Sequence, residues 1–106
     1  MRNKYKPLVC NDGFTVSVQA SRTNYCEPRD DSGPYRTVEL GFPSLADPLI
    51  NPWAEDPGDL TGTVYGWVPA DVVLELIEKH GGWKEGELPP MEYATWSGQT
   101  PGFDNE

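Results

Sequence analysis

A chain of 106 residues with 37% apolar content, eleven prolines and eleven glycines has room for one domain with a single modest core, and its loop content is high. The formal net charge of −9 weighs against direct binding of nucleic acid or an anionic membrane, because phosphate contacts need clustered Lys and Arg. No stretch approaches the ~20 apolar residues of a membrane helix, and the start, Met1 to Pro7, lacks the apolar run of a secretory signal, so a cytoplasmic protein is expected.

In chain order, Tyr5 to Cys10 and Phe14 to Ser21 read as paired strands. The second alternates strictly, with Phe14, Val16, Val18 and Ala20 on one face and polar residues on the other. Between the two, Asn11-Asp12-Gly13 supplies residues that accept positive φ in a tight hairpin. Arg22 to Pro34 is a connection, since its Asn, Asp, Gly and Pro residues oppose regular structure. Tyr35 to Phe42 alternates again and predicts a third strand, with Val38, Leu40 and Phe42 sharing a face.

Pro43 to Gly62 reads as a long Pro-rich loop. Leu45, Leu49, Ile50 and Trp53 recur within it at helical spacing and predict a short turn of helix that pins the loop to the body, kept short by Pro48 and Pro52. Thr63 to Val68 is β-branched and aromatic, which predicts a fourth strand. It leads into a helix from Pro69 to His80, stopped by Gly81-Gly82. Val72, Val73, Leu76 and Ile77 form the apolar face of that helix, and Asp71, Glu75 and Glu78 its solvent face.

The expected fold class is α+β: a small antiparallel sheet of about four strands with one helix packed on one face. Residues 1–83 are expected to form this domain and 84–106 an irregular aromatic and acidic tail. Trp83, at the end of that domain, and Met91, Tyr93, Trp96 and Phe103 in the tail are costly to leave in water, so they either pack back onto the body or dock elsewhere.

Tests for chemistry are largely negative. Cys10 and Cys26 are too few for a disulfide scaffold and are expected as free thiols. A thiol nucleophile needs an activating base, yet the one histidine, His80, is better explained as a helix C-terminal residue interacting with the last carbonyls. Zinc needs about four Cys or His ligands, Glu27, Asp30 and Asp31 lack the calcium-loop spacing, and no glycine pattern matches a phosphate-cradling loop. No catalytic residue, metal or cofactor is expected, and an enzyme is the least favoured class.

Two patterns point elsewhere. Charge divides the chain, with six of its eight Lys and Arg lying at or before Arg36 and thirteen of its seventeen acids after it. Glu55, Asp56 and Asp59 on the loop and Asp71, Glu75 and Glu78 on the helix would present a negative surface to a basic partner. Trp53 and Trp96 would then be its aromatic anchors, unless the aromatics simply complete a small core. Separately, Arg22, Arg29 and Arg36 around Tyr25-Cys26-Glu27-Pro28 form a candidate clamp for an anionic, nucleotide-like ligand, unless they neutralise the protein's own acids.

The stretches Val9-Cys-Asn-Asp-Gly-Phe-Thr-Val-Ser-Val-Gln-Ala-Ser21, Tyr25-Cys-Glu-Pro-Arg29, Val38-Glu-Leu-Gly-Phe-Pro-Ser44 and Thr63-Val-Tyr-Gly-Trp-Val-Pro69 resemble the small uncharacterised accessory proteins of tailed bacteriophages. The resemblance covers roughly residues 8–82 and carries over no catalytic or binding residue. It implies the cytosol of an infected bacterium and a non-enzymatic inhibitor of host defence, of the anti-CRISPR kind, acting by occlusion of a nucleic-acid-handling host protein with a basic surface. The alternatives are a binder of an anionic nucleotide-like ligand and a structural or assembly component of the virion.

Overall fold

Five strands, one α-helix and one 3-10 turn make up the fold of residues 5–93, which a computed structural model describes. The strands are β1 (Leu8–Cys10), β2 (Thr15–Gln19), β3 (Thr37–Gly41), β4 (Val64–Pro69) and β5 (Trp83–Glu85), and the helix is α1 (Ala70–Lys79). They form one sheet in the order β4-β3-β2-β1-β5 with every neighbouring pair antiparallel. The α+β class is the expected one, with a fifth strand added at the edge. Among the described residues no helix is long and apolar enough to cross a membrane.

The alternating residues of β2 explain the core. Phe14, Val16, Val18 and Ala20 are buried, and Leu8, Cys10, Val38, Leu40, Tyr65 and Val68 join them from the neighbouring strands. Helix α1 adds Val73, Leu76 and Ile77 to the same cluster, while Glu75 and Glu78 stay exposed and Asp71 is half-buried. Burial of a full-sized aliphatic side chain contributes roughly 1.5–3 kcal/mol, so these residues supply the main driving force for placing α1 on this face.

Two departures from regular alternation shape the outer face. Val38 pairs with Val68 and Leu40 with Tyr65, so two steps along β3 match three along β4, and Glu39 faces both Gly66 and Trp67. This is a β-bulge, and it keeps both Tyr65 and Val68 inside while turning Trp67 outward. Trp67 takes φ 54° there. The second departure is Phe42, expected to share the inner face with Val38 and Leu40. It instead adopts φ 50° and is 58% exposed, because the strand ends at Gly41 and the backbone turns so that Pro43 enters the core in its place.

The segment from Pro43 to Gly62 is held far more closely than a free loop. Ile50 is fully buried and precedes the 3-10 turn Asn51–Trp53, the short turn that the apolar spacing predicted. Ala54 bridges Tyr65 and the Glu55 N–H donates to the Val64 carbonyl, which covers the outer edge of β4. Leu45, read as part of that helical pattern, is 64% exposed.

Pairing continues past Trp83, the expected end of the domain. Trp83 pairs with Cys10 and Glu85 with Val9, and Glu87 and Lys6 exchange hydrogen bonds. Farther on, the Tyr35 N–H donates to the Pro90 carbonyl and the Glu92 N–H to the Tyr35 carbonyl. Pro89 is buried, and Leu88 and Met91 pack against the core. Residues 84–93 therefore belong to the body, because apolar groups spaced along an irregular sequence still find the uncovered edge of the core. Trp96 and Phe103 lie outside the described residues.

Candidate interaction site

The helix C-terminus gathers the most concentrated polar cluster. His80 follows α1 as its C-cap, and its ring stacks on Phe14 with centroids 3.9 Å apart and planes 6° from parallel. Its Nδ1 lies 2.7 Å from Asp12 Oδ2 and its Nε2 2.9 Å from Asp47 Oδ2. With a carboxylate at each nitrogen, both nitrogens donate only when the ring is protonated, so this arrangement favours the imidazolium form. Asp47 is 3% exposed, and its Oδ1 accepts from Lys79 Nζ at 2.8 Å and from the Leu49 N–H at 3.0 Å.

Burial works to lower the His80 pKa, but hydrogen bonds and charges from Asp12 and Asp47 outweigh it and hold the pKa above its ordinary value. Burial likewise works to raise the Asp47 pKa, and the bonds from Lys79, Leu49 and His80 bring it below the usual carboxylate range. Asp12 is lowered by the Phe14 N–H and by His80. The cluster ties three distant segments together: the β1–β2 turn, the 43–50 segment and the end of α1.

This arrangement leaves His80 no free nitrogen with which to activate a nucleophile. Cys10 and Cys26 are buried and not bonded to each other, and burial pushes both thiols up from their ordinary value. The Cys26 thiol points its proton at the Ser21 and Pro28 carbonyls. Among the described residues no group of three or more His, Cys, Asp or Glu is arranged to hold a metal ion.

The arginines do not converge as a clamp. Arg22 Nε lies 3.6 Å from Asp31 and Arg36 3.4 Å from Glu27, both pairs well exposed, while Asp30 accepts from the Ser32 and Gly33 N–H groups. Arg29 takes another direction, its Cζ standing 5.8 Å from the Tyr25 ring centroid.

That ring marks the most distinctive surface feature. Tyr25 and Trp67 stack with centroids 4.9 Å apart and planes 18° from parallel, although they are 39% and 45% exposed. The bulge in β4 and the Arg22–Pro34 connection build the pair jointly. The Trp67 N–H donates to the Tyr25 carbonyl at 3.0 Å, and Glu39 Oε1 accepts from the Tyr25 N–H at 2.8 Å and from Asn24 Nδ2 at 3.1 Å. Gly66 permits the close approach: a Cβ there would stand 3.2 Å from Tyr25 Cβ and 3.4 Å from Glu55 Oε2. Glu55 thus reaches the foot of the aromatic pair, where its carboxylate enters no hydrogen bond or ion pair among the described residues.

Of the other candidate partner-binding residues, Asp56 and Asp59 are exposed on the same segment as Glu55, and Glu75 and Glu78 on α1. Trp53 is half-buried and packs against the core, so it is a structural residue first. Trp96 lies outside the described residues. Sequence reasoning did not single out Tyr25 and Trp67 as a pair. The available signal was the apolar spacing of Tyr65 and Val68, three apart, which a regular strand cannot place on one face, with Gly66 between them to allow a bulge. No protein-family model, curated protein or solved structure matches the chain.

Proposed function

We propose that this protein is a non-enzymatic binding module that captures a partner protein through the Tyr25–Trp67 stack, steered by the surrounding carboxylates. In the phage setting implied by the sequence resemblance, the partner is a nucleic-acid-handling host defence protein whose basic surface is occluded. The observation that carries this reading is the exposed, stacked aromatic pair held on a strained backbone. Exposed Trp and Tyr side chains in fixed geometry are the residue types that dominate binding energy at interfaces, and although the bulge that buries Tyr65 and Val68 sets the backbone there, glycine would meet its positive φ with less strain than tryptophan.

Charge supports the same reading. Of the two lysines after Arg36, Lys79 is already engaged by Asp47, and the exposed Glu55, Asp56 and Asp59 together with Glu75 and Glu78 on α1 give the molecule a negative field that speeds encounter with a cationic surface. The anion-clamp alternative loses support because Arg22 and Arg36 face the chain's own acids.

The test is a tagged pull-down from a bacterial host at low and high salt, with wild type and Trp67→Gly in parallel. A single stoichiometric protein, weakened by salt and lost in the variant, is the expected outcome. Retention of the same protein by Trp67→Gly would remove the aromatic pair from the interface.

A further inference from the structure

We infer that the Tyr25–Trp67 stack, with Glu55 at its foot, is a receptor for an arginine side chain of the partner. The inference deepens the binding-module reading and rests on it. Three features of the site converge on a guanidinium rather than on another group. First, each of the two stacked rings covers one face of the other and keeps its outer side partly open, and the negative face of an aromatic ring attracts a planar delocalised cation. Second, the Glu55 carboxylate and the edge of the Tyr25 ring, at Cδ2, both lie 3.4 Å from the point where a Cβ on Gly66 would stand. An anionic acceptor therefore stands near the edge of the Tyr25 ring, within reach of a guanidinium bound there. Third, the chain itself places a guanidinium on this surface, since Arg29 lies over the Tyr25 ring at 5.8 Å, near the outer limit of about 6 Å for such a contact. A loosely held resident of this kind can be supplemented or displaced by an arginine with a better approach to Glu55.

Lysine fits less well. Its ammonium is compact and strongly hydrated, whereas guanidinium stacks flat and presents several donors in the plane needed by a carboxylate beside a ring. An anionic or neutral aromatic ligand would meet Glu39 and Glu55 without compensation. The backbone is arranged around the ring pair: Trp67 holds φ 54°, Gly66 lets Tyr25 close against β4, and Glu39 acts as a positioning residue by fixing the Tyr25 backbone and Asn24.

The experiment titrates capped hexa-arginine and hexa-lysine peptides into isotopically labelled full-length protein at about 0.15 M salt, following backbone amide resonances in every protein and, where Trp67 is present, its indole resonance. Hexa-arginine is expected to bind at least about fivefold more tightly than hexa-lysine and to move that resonance. Trp67→Gly, whose backbone suits the positive φ and so preserves the fold, should abolish the preference. Glu55→Gln should weaken hexa-arginine severalfold, and Arg29→Ala should tighten it by removing the resident cation. Equal affinity for the two peptides, or a preference that survives Trp67→Gly, would overturn the inference. If the peptides bind alike while the pull-down still yields a Trp67-dependent protein, the arginine receptor fails and the binding module stands. If neither peptide binds even in low salt and the pull-down is empty, both fail together.

Discussion

At Trp67 a bulky side chain occupies φ 54°, where contact between Cβ and the following carbonyl costs roughly 1–2 kcal/mol. Stacking on Tyr25 returns about 0.5–1.5 kcal/mol, so the two effects nearly cancel. Trp67→Gly should therefore lie within about 1 kcal/mol of wild type, and Trp67→Ala, which loses the stack but keeps the strain, should be about 1 kcal/mol less stable than Trp67→Gly. Urea titration of the three proteins measures this order directly, and an alanine variant more stable than the glycine one would show that the backbone there is unstrained.

His80 sets a second residue-scale expectation. Its pKa is raised in the fold, so its contribution is fully present below about pH 6.5, the unfolded value, and is lost as pH rises through the folded value. Asp12 and Asp47 are lowered, so theirs is present above about pH 3.9 and lost as pH falls through their folded values. Stability should peak between roughly pH 4 and pH 6.5 and decline as pH rises through the raised His80 value. In thermal melts, His80→Gln should lack that alkaline decline; an identical pH profile for wild type and variant would rule out His80 as its source. Asp47→Ala, which strips the partners from Lys79 and His80, should cost about 2–3 kcal/mol.

Among the elements, the β1–β2 hairpin and α1 were legible because each carries its own signal: strict alternation around Asn11-Asp12-Gly13, and an apolar stripe ending at two glycines. What joins them was not legible. The Asn11 N–H donates to the Gly82 carbonyl and Asn11 Nδ2 to the Gly81 carbonyl, contacts between residues some seventy positions apart that no local pattern encodes. Strand β5 was missed for a similar reason: its three residues are all exposed, so it shows no hydrophobic periodicity and exists only because β1 offers an unpaired edge. Gly86, just beyond it, takes φ 104°, and a Cβ there would overlap the Pro7 carbonyl oxygen and Leu8 Cα. Gly86→Ala should cost about 1–3 kcal/mol. Truncation after Trp83, which also removes Leu88, Pro89 and Met91, should lower stability by roughly 3–5 kcal/mol. Calorimetry on the truncated chain would decide whether residues 84–93 belong to the cooperative unit; an unchanged melting temperature would place them outside it.

For the whole molecule, charge and core are separated by the sheet and helix. Apolar side chains of both meet between them, and the carboxylates of the 54–62 segment and of α1 face outward. Neutralising Glu55, Asp56, Asp59, Asp71, Glu75 and Glu78 to amides should slow association with the captured partner by about tenfold or more in low salt and flatten its salt dependence, because steering acts on the rate of encounter. Unchanged association rates in low salt would assign the steering to other groups. Trp53, expected beside these residues as an anchor, is half-buried and packs against the core cluster.

The amino-acid sequence by itself determined the α+β class, the inner faces of β2 and α1, the short turn near Ile50 and the acidic character of the second part, since periodicity, turn chemistry and charge are local properties. Only the tertiary structure decided that His80 sits between Asp12 and Asp47, that Arg22 and Arg36 face acids while Arg29 faces Tyr25, and that a bulge turns Trp67 out to meet that same ring. The first and the last depend on contacts between segments far apart in the chain, the last of them made when burial of Tyr65 and Val68 on one face forces β4 out of register with its neighbour, and the arginine contacts depend on how the 22–36 connection folds back on itself.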